Sequence, residues 1–281
     1  MIKAIFFTAF ALVAFAFNSI LCRMALRGGE ADAAGFTLVR IASGAITLIV
    51  ISYFAGSGKG SQIWERGNWI SAFFLFAYAV CFSFAYLGLT AGTGALILFG
   101  SVQLTMVLVS VIRGERPKSL EWVGLVLAVG GLVYLVFPGL SSPPLMSSLL
   151  MAAAGAAWGG YTLRGRGSSS PLADTTGNFA LALPMAIIAA ALYWSGVHLS
   201  KQGILLAVLS GAVASGIGYT VWYAALKFHS ATSAAVLQLS VPALTAATGI
   251  LFLAEVATTR LYIAAGFILG GILLVILGKN R

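Results

Sequence analysis

Ten long apolar runs, separated by short polar connectors, make up most of the chain. Each run is close to the roughly 20 residues that an α-helix needs to cross the ~30 Å hydrocarbon core of a bilayer. The connectors are rich in Gly, Ser and Pro, which favour turns. The pattern therefore predicts an all-α integral membrane protein with ten transmembrane helices. The predicted helices cover residues 4–25, 34–55, 68–90, 93–112, 119–138, 146–163, 172–194, 203–226, 231–253 and 259–278.

One block of the sequence occurs twice, at residues 95–139 and again at residues 235–279. In each copy an apolar run leads into a charged turn with a Glu, and a second apolar run with a Gly-Gly pair follows. A repeat of this size sets the architecture, so we expect two related five-helix halves, residues 1–140 and 141–281. Three landmarks align without a gap, each pair 140 positions apart: Glu115 with Glu255, Gly130 with Gly270, and Gly131 with Gly271.

Composition and the positions of the basic residues indicate the environment and the orientation. Only 8% of the residues are charged and the mean hydropathy is +1.01, whereas soluble proteins carry about 25% charged residues. Of the sixteen Lys and Arg, eleven fall on one predicted side of the membrane, four fall on the other, and Arg40 lies within a run. Because basic residues accumulate on the cytoplasmic side, both termini should be cytoplasmic. An odd number of spans in each half then inverts the second half relative to the first.

The net charge of +9 is carried by basic residues that lie singly between apolar runs. This distribution favours membrane orientation over nucleic-acid binding, so we expect no nucleic-acid partner. The first run, which reaches Leu21, is too long for the apolar core of a signal peptide. We therefore expect it to be retained as the first helix.

Two charged turns and one proline carry a family resemblance. The turns are Arg113-Gly-Glu115-Arg and Leu253-Ala-Glu255, and each precedes a helix with a Gly-Gly pair. The proline lies in Ser240-Val-Pro242, and the matching position of the first copy is Val102. With these features the chain resembles the drug/metabolite transporter superfamily, and more narrowly the EamA family with its YddG-type amino-acid exporters. The resemblance implies a ten-helix exporter that works by alternating access.

The acidic residues all lie at helix ends or in connectors. Because ionisable groups inside the membrane usually mark proton or cation pathways, this placement argues against an aspartyl intramembrane protease and against a proton-exchanging cation exporter. It also weakens any proton-coupled mechanism. The acidic residues are Glu30, Asp32, Glu65, Glu115, Glu121, Asp174 and Glu255.

The sequence contains none of the motifs that would indicate an enzyme. Gly56-Ser-Gly-Lys-Gly is too short for a P-loop, and neither H-E-x-x-H nor G-x-S-x-G occurs. Cys22 and Cys81 lie in separate apolar runs without metal-ligand spacing. We expect no metal, no other cofactor and no enzymatic activity.

Neutral amides and aromatic side chains remain as candidates for a site at mid-depth. A buried amide is costly unless it is hydrogen-bonded or faces water, so these groups either line a cavity or join helices. Trp222, Tyr223 and Tyr86 lie near helix ends, where we expect an interfacial aromatic belt. The predicted substrate-binding residues from these runs are Asn18, Tyr78, Phe82, Gln103, Trp158, Tyr161, Tyr219 and Gln238.

Arg40 is the one basic residue well inside a predicted span. It lies six positions from Ala34, roughly 9 Å along the helix axis. Two placements are open from the sequence. The side chain either snorkels to the outer face, or it faces the cavity mouth, attracts a substrate carboxylate and belongs with the predicted substrate-binding residues.

Two further features are predicted to join helices. Glu115 and Glu255 are either contacts that hold helix ends together or gates that pair charges in one conformation. The small-x-x-x-small pairs Gly155–Gly159 and Gly266–Gly270 are predicted to be helix-packing sites.

Charge selects among the substrate classes. A nucleotide sugar would require several intramembrane Lys or Arg, whereas only Arg40 is available, and a lipophilic cation would require a buried carboxylate. A zwitterion with an apolar side chain suits amide groups and aromatic walls.

We therefore hypothesise a monomeric multi-pass exporter in the bacterial inner membrane, with the lipid bilayer and a small-molecule substrate as its partners. Its predicted cargo is amino acids, aromatic and other neutral ones, and related metabolites, moved by facilitated diffusion. The alternatives are a proton-coupled exporter of other small metabolites, an intramembrane lipid-modifying enzyme, and a non-transporting scaffold.

Overall fold

The structure is a computed structural model that describes residues 2–55, 66–114, 117–139, 142–166, 168–193, 196–229 and 231–278, without the side chains of 231–233. In these ranges the regular structure is helical, apart from one isolated β-bridge between Ala31 and Leu199. The predicted boundary between two halves, at residues 140 and 141, lies outside the described residues.

Each predicted apolar run overlaps a helix, and two of the runs are interrupted. The helices are α1 (Ile2–Arg27), α2 (Ala33–Phe54), α3 (Trp69–Ala85), α4 (Ala91–Ile112), α5 (Ser119–Val136), α6 (Leu145–Gly165), α7 (Pro171–Leu192), α8 (Lys201–Val208), α9 (Gly218–Leu226), α10 (Ala231–Gln238), α11 (Ser240–Leu253) and α12 (Thr259–Gly278). A π-helix, Leu209–Ile217, joins α8 to α9 without a break. The step at Leu239, between α10 and α11, comes shortly before Pro242, whose missing N–H cannot continue the hydrogen-bond ladder.

Eight of the described helical stretches are long and apolar enough to cross a membrane. Helix α3 has 17 residues and falls short of that length, because it ends at Ala85 instead of continuing to residue 90. Helix α6 is long enough, with 21 residues, but it is rich in Ala, Gly and Ser. The fold is therefore all-helical and multi-pass, while a count of ten spans remains a prediction.

Helices α5 and α12, which follow the two repeated Glu positions, pack closely against each other. A Cβ atom on Gly124 would lie 2.4 Å from the carbonyl oxygen of Gly271, and one on Gly271 would lie 2.5 Å from the carbonyl oxygen of Gly124. The two backbones therefore touch, and only glycine fits at either position. Elsewhere α2 packs against α7, α3 against α6, and α4 against both α6 and α11.

One of the two predicted small-residue pairs is a packing site. A Cβ on Gly155 would lie 2.6 Å from the carbonyl oxygen of Leu98, and Gly159 faces Thr105, so this pair lies against α4. The prediction for Gly266 and Gly270 is wrong, because neither has a described atom within 4 Å of its Cβ position. Helix α12 contacts α5 through Gly271, and the neighbouring residue points about 100° away around the helix.

Candidate functional site

A cavity of about 1290 Å³ lies between helices of the first and second parts of the chain. Its lining combines residues of α4, in the first part, with residues of α6, α7, α9, α10 and α12, in the second part. Its open end has a charged rim that faces the side predicted to be cytoplasmic. The rim consists of the basic residues Arg66, Lys118, Arg164 and Arg166 and the acidic residues Glu121 and Asp174.

Stacked aromatic rings close the inner end of this cavity. Trp158 stacks on Tyr161 and on Tyr219, with ring centroids 5.3 Å apart and an interplanar angle of 25° in both pairs. Tyr78 lies on the side of this layer away from the cavity, with its ring centroid 4.9 Å from that of Trp158. We call Trp158, Tyr161 and Tyr219 the aromatic floor.

Hydrogen-bonded polar side chains line the cavity beside the aromatic floor. We call Asn178, Thr175 and Tyr223 the polar wall. The side-chain amide of Asn178 donates to the Tyr161 hydroxyl at 3.4 Å. The Thr175 hydroxyl is 2.9 Å from that of Tyr223 and accepts from Tyr161 at 3.5 Å. Asn178, Thr175 and Tyr223 were not predicted as site residues. The run of polar residues from Asp174 to Asn178 inside an apolar stretch was the signal that would have indicated this wall.

A compact polar cluster lies behind the aromatic floor. Arg40 is 2% exposed and donates from Nη2 to the Tyr78 hydroxyl at 3.1 Å. Asn18 donates to the same hydroxyl at 3.4 Å and accepts a 2.6 Å hydrogen bond from Ser210, which lies in the π-helix. The Arg40 guanidinium also lies 5.0 Å from the ring centroid of Phe82. We call Asn18, Arg40, Tyr78 and Ser210 the polar cluster.

The end opposite the rim is closed by contacts between helix ends. Arg23 forms an ion pair with Glu255 at 3.3 Å, in which the side chains are 12% and 7% exposed. Arg27 donates to the carbonyl oxygen of Leu253 at 2.8 Å. Because the rim is open and this end is closed, the structure is accessible from one side of the membrane.

The predicted site residues fall into two groups. Trp158, Tyr161, Tyr219, Gln103 and Gln238 line the cavity. Asn18, Tyr78, Phe82 and Arg40 do not line it, but lie in or against the polar cluster behind the floor.

Two other expectations are corrected, and the expectation for the repeated Glu positions is tested in part. Arg40 does not snorkel to the outer face, because it is 2% exposed and bound to Tyr78. Trp222 and Tyr86 are not belt residues, because both are buried between helices. Glu255 does contact another helix end through Arg23, whereas Glu115 lies outside the described residues.

The all-helical, multi-pass fold and the cavity between its helices suit a membrane transporter, and the comparison with known proteins agrees. Residues 145–277 match the EamA-like transporter family. The match covers 133 of the 281 residues, in the second part of the chain, and indicates a transporter of small molecules.

Among its relatives, an uncharacterized protein of Pseudomonas aeruginosa, PA1977, is 46% identical over 274 residues, which cover 98% of this chain and 94% of the relative. A crystal structure with 18% identity superposes with a TM-score of 0.65 over 98% of this chain and 97% of its own chain. At that identity, the likeness shows a shared fold.

Proposed function

We propose that this protein exports amino acids, aromatic and other neutral ones, across the bacterial inner membrane by alternating access and facilitated diffusion. The observation that carries the proposal is the cavity of about 1290 Å³ with its aromatic floor and its open end at the charged rim. Aromatic rings bind an apolar side chain, and the amides and hydroxyls of the wall bind polar backbone groups. The open end faces the side on which an exporter collects its cargo.

The proposed architecture is ten spans in two inverted halves, residues 1–140 and 141–281, within a monomer. Support comes from the pairs of helices in contact. Helices in corresponding places of the two halves pack together: α5 with α12, α2 with α7, and α4 with α11. Inverted halves commonly enclose their site near the midplane, where rocking of one half against the other exposes it to each side in turn.

Facilitated diffusion is proposed because the described acidic side chains lie at helix ends with partners of their own. Glu255 pairs with Arg23, Asp174 accepts from Ser168, and Glu121 accepts from the backbone N–H of Lys118. A proton-coupled carrier usually holds an acid within the membrane. The cargo would then move down the concentration gradient that the cell maintains.

Efflux from proteoliposomes tests this mechanism. Vesicles containing the purified protein are loaded with labelled phenylalanine, and efflux is measured with and without an imposed pH gradient. We expect equal rates in the two conditions. A strict requirement for the gradient contradicts facilitated diffusion, and no efflux in either condition contradicts the amino-acid cargo.

Trp158→Ala tests the position of the site. The substitution removes the central ring of the floor, on which the phenyl ring of the cargo would pack. Because one aromatic contact is worth about 0.5–1.5 kcal/mol, we expect phenylalanine efflux to fall by up to about tenfold. Trp122→Ala is the matched control, because Trp122 is 48% exposed on the outside of α5 and does not line the cavity. Equal effects of the two substitutions would place the site elsewhere.

A further inference from the structure

We infer that Arg40 is the anchor of a carboxylate-binding subsite behind the aromatic floor, so that the cargo must carry a carboxylate, while its amino group is dispensable. This inference rests on the proposed function for its cargo class and deepens it. It concerns which end of an amino acid the carrier recognises.

The first argument is the charge on Arg40. Its Nη2 donates to Tyr78, whereas its Nη1 is buried and has no hydrogen-bond partner among the described residues. The described ion pairs are Arg23 with Glu255 and Arg66 with Asp174, so neither includes Arg40. A buried cation without a counter-ion is strongly destabilising. A ligand that brings a negative charge would remove that cost.

The second argument is the local backbone. The π-helix Leu209–Ile217 lies beside Arg40, and its Gly211 is so close that a Cβ there would collide with the carbonyl oxygen of Arg40. The same segment supplies Ser210, which bonds to Asn18, and Ser215, whose buried hydroxyl has no partner among the described residues. π-helical turns occur frequently at functional sites. Two buried polar groups without partners therefore lie around one irregular segment.

The third argument is the distance to the cavity. Arg40 contacts Tyr78, Tyr78 packs against Trp158 at 4.9 Å, and Trp158 belongs to the aromatic floor. The rings of Tyr78 and Trp158 thus lie between the guanidinium and the cavity. Movement of Tyr78, Trp158 and Tyr219 would therefore have to open the path by which a carboxylate reaches Arg40.

The chemistry selects the carboxylate over the amino group. A planar guanidinium binds a carboxylate through two parallel N–H···O bonds, and the free Nη1 provides one of the donors. The described acidic side chains all lie at helix ends, away from the polar cluster, so no described group at this depth offers an ion pair to an ammonium. The ammonium is left to amide oxygens and aromatic faces.

A ligand series tests the selectivity. Exchange of labelled phenylalanine in proteoliposomes is measured with two competitors at equal concentration: 3-phenylpropanoate, which lacks the amino group, and phenylalaninamide, which lacks the carboxylate. We expect 3-phenylpropanoate to inhibit at least tenfold more strongly. Equal inhibition, or stronger inhibition by the amide, overturns the inference.

Thermal unfolding of the purified protein tests the residue without relying on transport. We expect 3-phenylpropanoate to raise the Tm of the wild type by about 2 °C or more, and Arg40→Gln to abolish this rise. Without ligand, Arg40→Gln should raise the Tm, since it removes a buried charge that has no counter-ion among the described residues. Arg260→Gln is the control: Arg260 also has a buried Nη1 without a described partner, but it packs on Tyr134 away from the cavity.

The outcomes separate the two proposals. If the wild type does not move phenylalanine but shows the Arg40-dependent rise in Tm, the amino-acid cargo is wrong and the subsite stands. If phenylalanine moves and Arg40→Gln transports and responds to 3-phenylpropanoate like the wild type, the subsite is wrong and the cargo stands. If Arg40→Gln has a lower Tm than the wild type without ligand, Arg40 stabilises the fold, and this result overturns the subsite.

Discussion

At the scale of single residues, the closed end depends on Arg23 and Glu255. Arg23 also donates to the carbonyl oxygen of Tyr86 at 2.7 Å, and Glu255 accepts from the N–H of Ala91 at 2.8 Å. The pair therefore joins the ends of α1, α3, α4 and α11. Since both side chains are largely desolvated, removal of one charge leaves the other without compensation. Opening this end requires the pair to separate.

Glu255→Gln should weaken the closed end. We expect a loss of about 1–3 kcal/mol in the free energy of unfolding, seen as a Tm lower by several degrees in detergent. Asp174→Asn is the matched control, because its pair with Arg66 is 3.7 Å long with side chains 43% and 35% exposed. Such an exposed pair contributes about 0–1 kcal/mol. Equal losses in the two variants would contradict a special role for Glu255.

At the scale of helices, the packing of α5 on α12 depends on which glycine of each Gly-Gly pair faces the partner. A Cβ on Gly131 would lie 2.8 Å from that of Phe267, whereas Gly130 has no described atom within 4 Å of its Cβ position. Gly130 and Gly131 are adjacent in sequence, but only Gly131 packs against the partner helix. The repeat alone indicates both glycines equally.

Alanine substitutions of this pair should have opposite effects. We expect Gly131→Ala to destabilise the protein by about 1–3 kcal/mol through overpacking. Gly130→Ala should be neutral or stabilise by about 0.5–1 kcal/mol, because alanine favours the helix. Thermal unfolding of the purified variants measures both. Similar shifts in Tm would mean that the α5–α12 interface is not packed as described.

At the scale of the whole molecule, the cavity formed by the described residues opens at the charged rim, and the Lys and Arg distribution predicts that side to be cytoplasmic. Ser110 lines the cavity near the rim. Lys201 is exposed at the start of α8, on the side of the closed end. The side of the membrane from which each of these two positions can be labelled therefore shows the orientation of the chain and the side on which the cavity is open.

Cysteine labelling tests this arrangement. Ser110→Cys should react with a membrane-impermeant maleimide in inside-out vesicles and stay unreactive in intact spheroplasts, while Lys201→Cys should show the reverse. The unmodified chain is the background control, since Cys22 is buried and Cys81 is partly buried within α3. Reaction of both variants from the same side would contradict the orientation.

Much of the fold was predictable because the bilayer imposes simple requirements on a chain. An apolar run must be helical to satisfy its backbone in lipid, so each predicted run overlaps a helix. All three residues of the aromatic floor were among the candidates, since Trp158, Tyr161 and Tyr219 are amphipathic groups at mid-depth. The interruptions of the helices were harder to predict from the sequence. Pro242 indicated the step at Leu239, but no residue pattern indicated the π-helix at Leu209–Ile217.

The amino-acid sequence by itself determined that most of the surface faces lipid, where the helices lie, which blocks are repeated and which polar groups are available inside the membrane. Each follows from local composition and spacing. Only the tertiary structure decided which face of each helix meets a neighbour. That choice separated Gly131 from Gly130, brought Asn178 to the cavity wall, and placed Arg40 behind Trp158 instead of at the outer face. The physical reason is that depth in the membrane depends on position along a helix, whereas contact depends on its rotation against its neighbours.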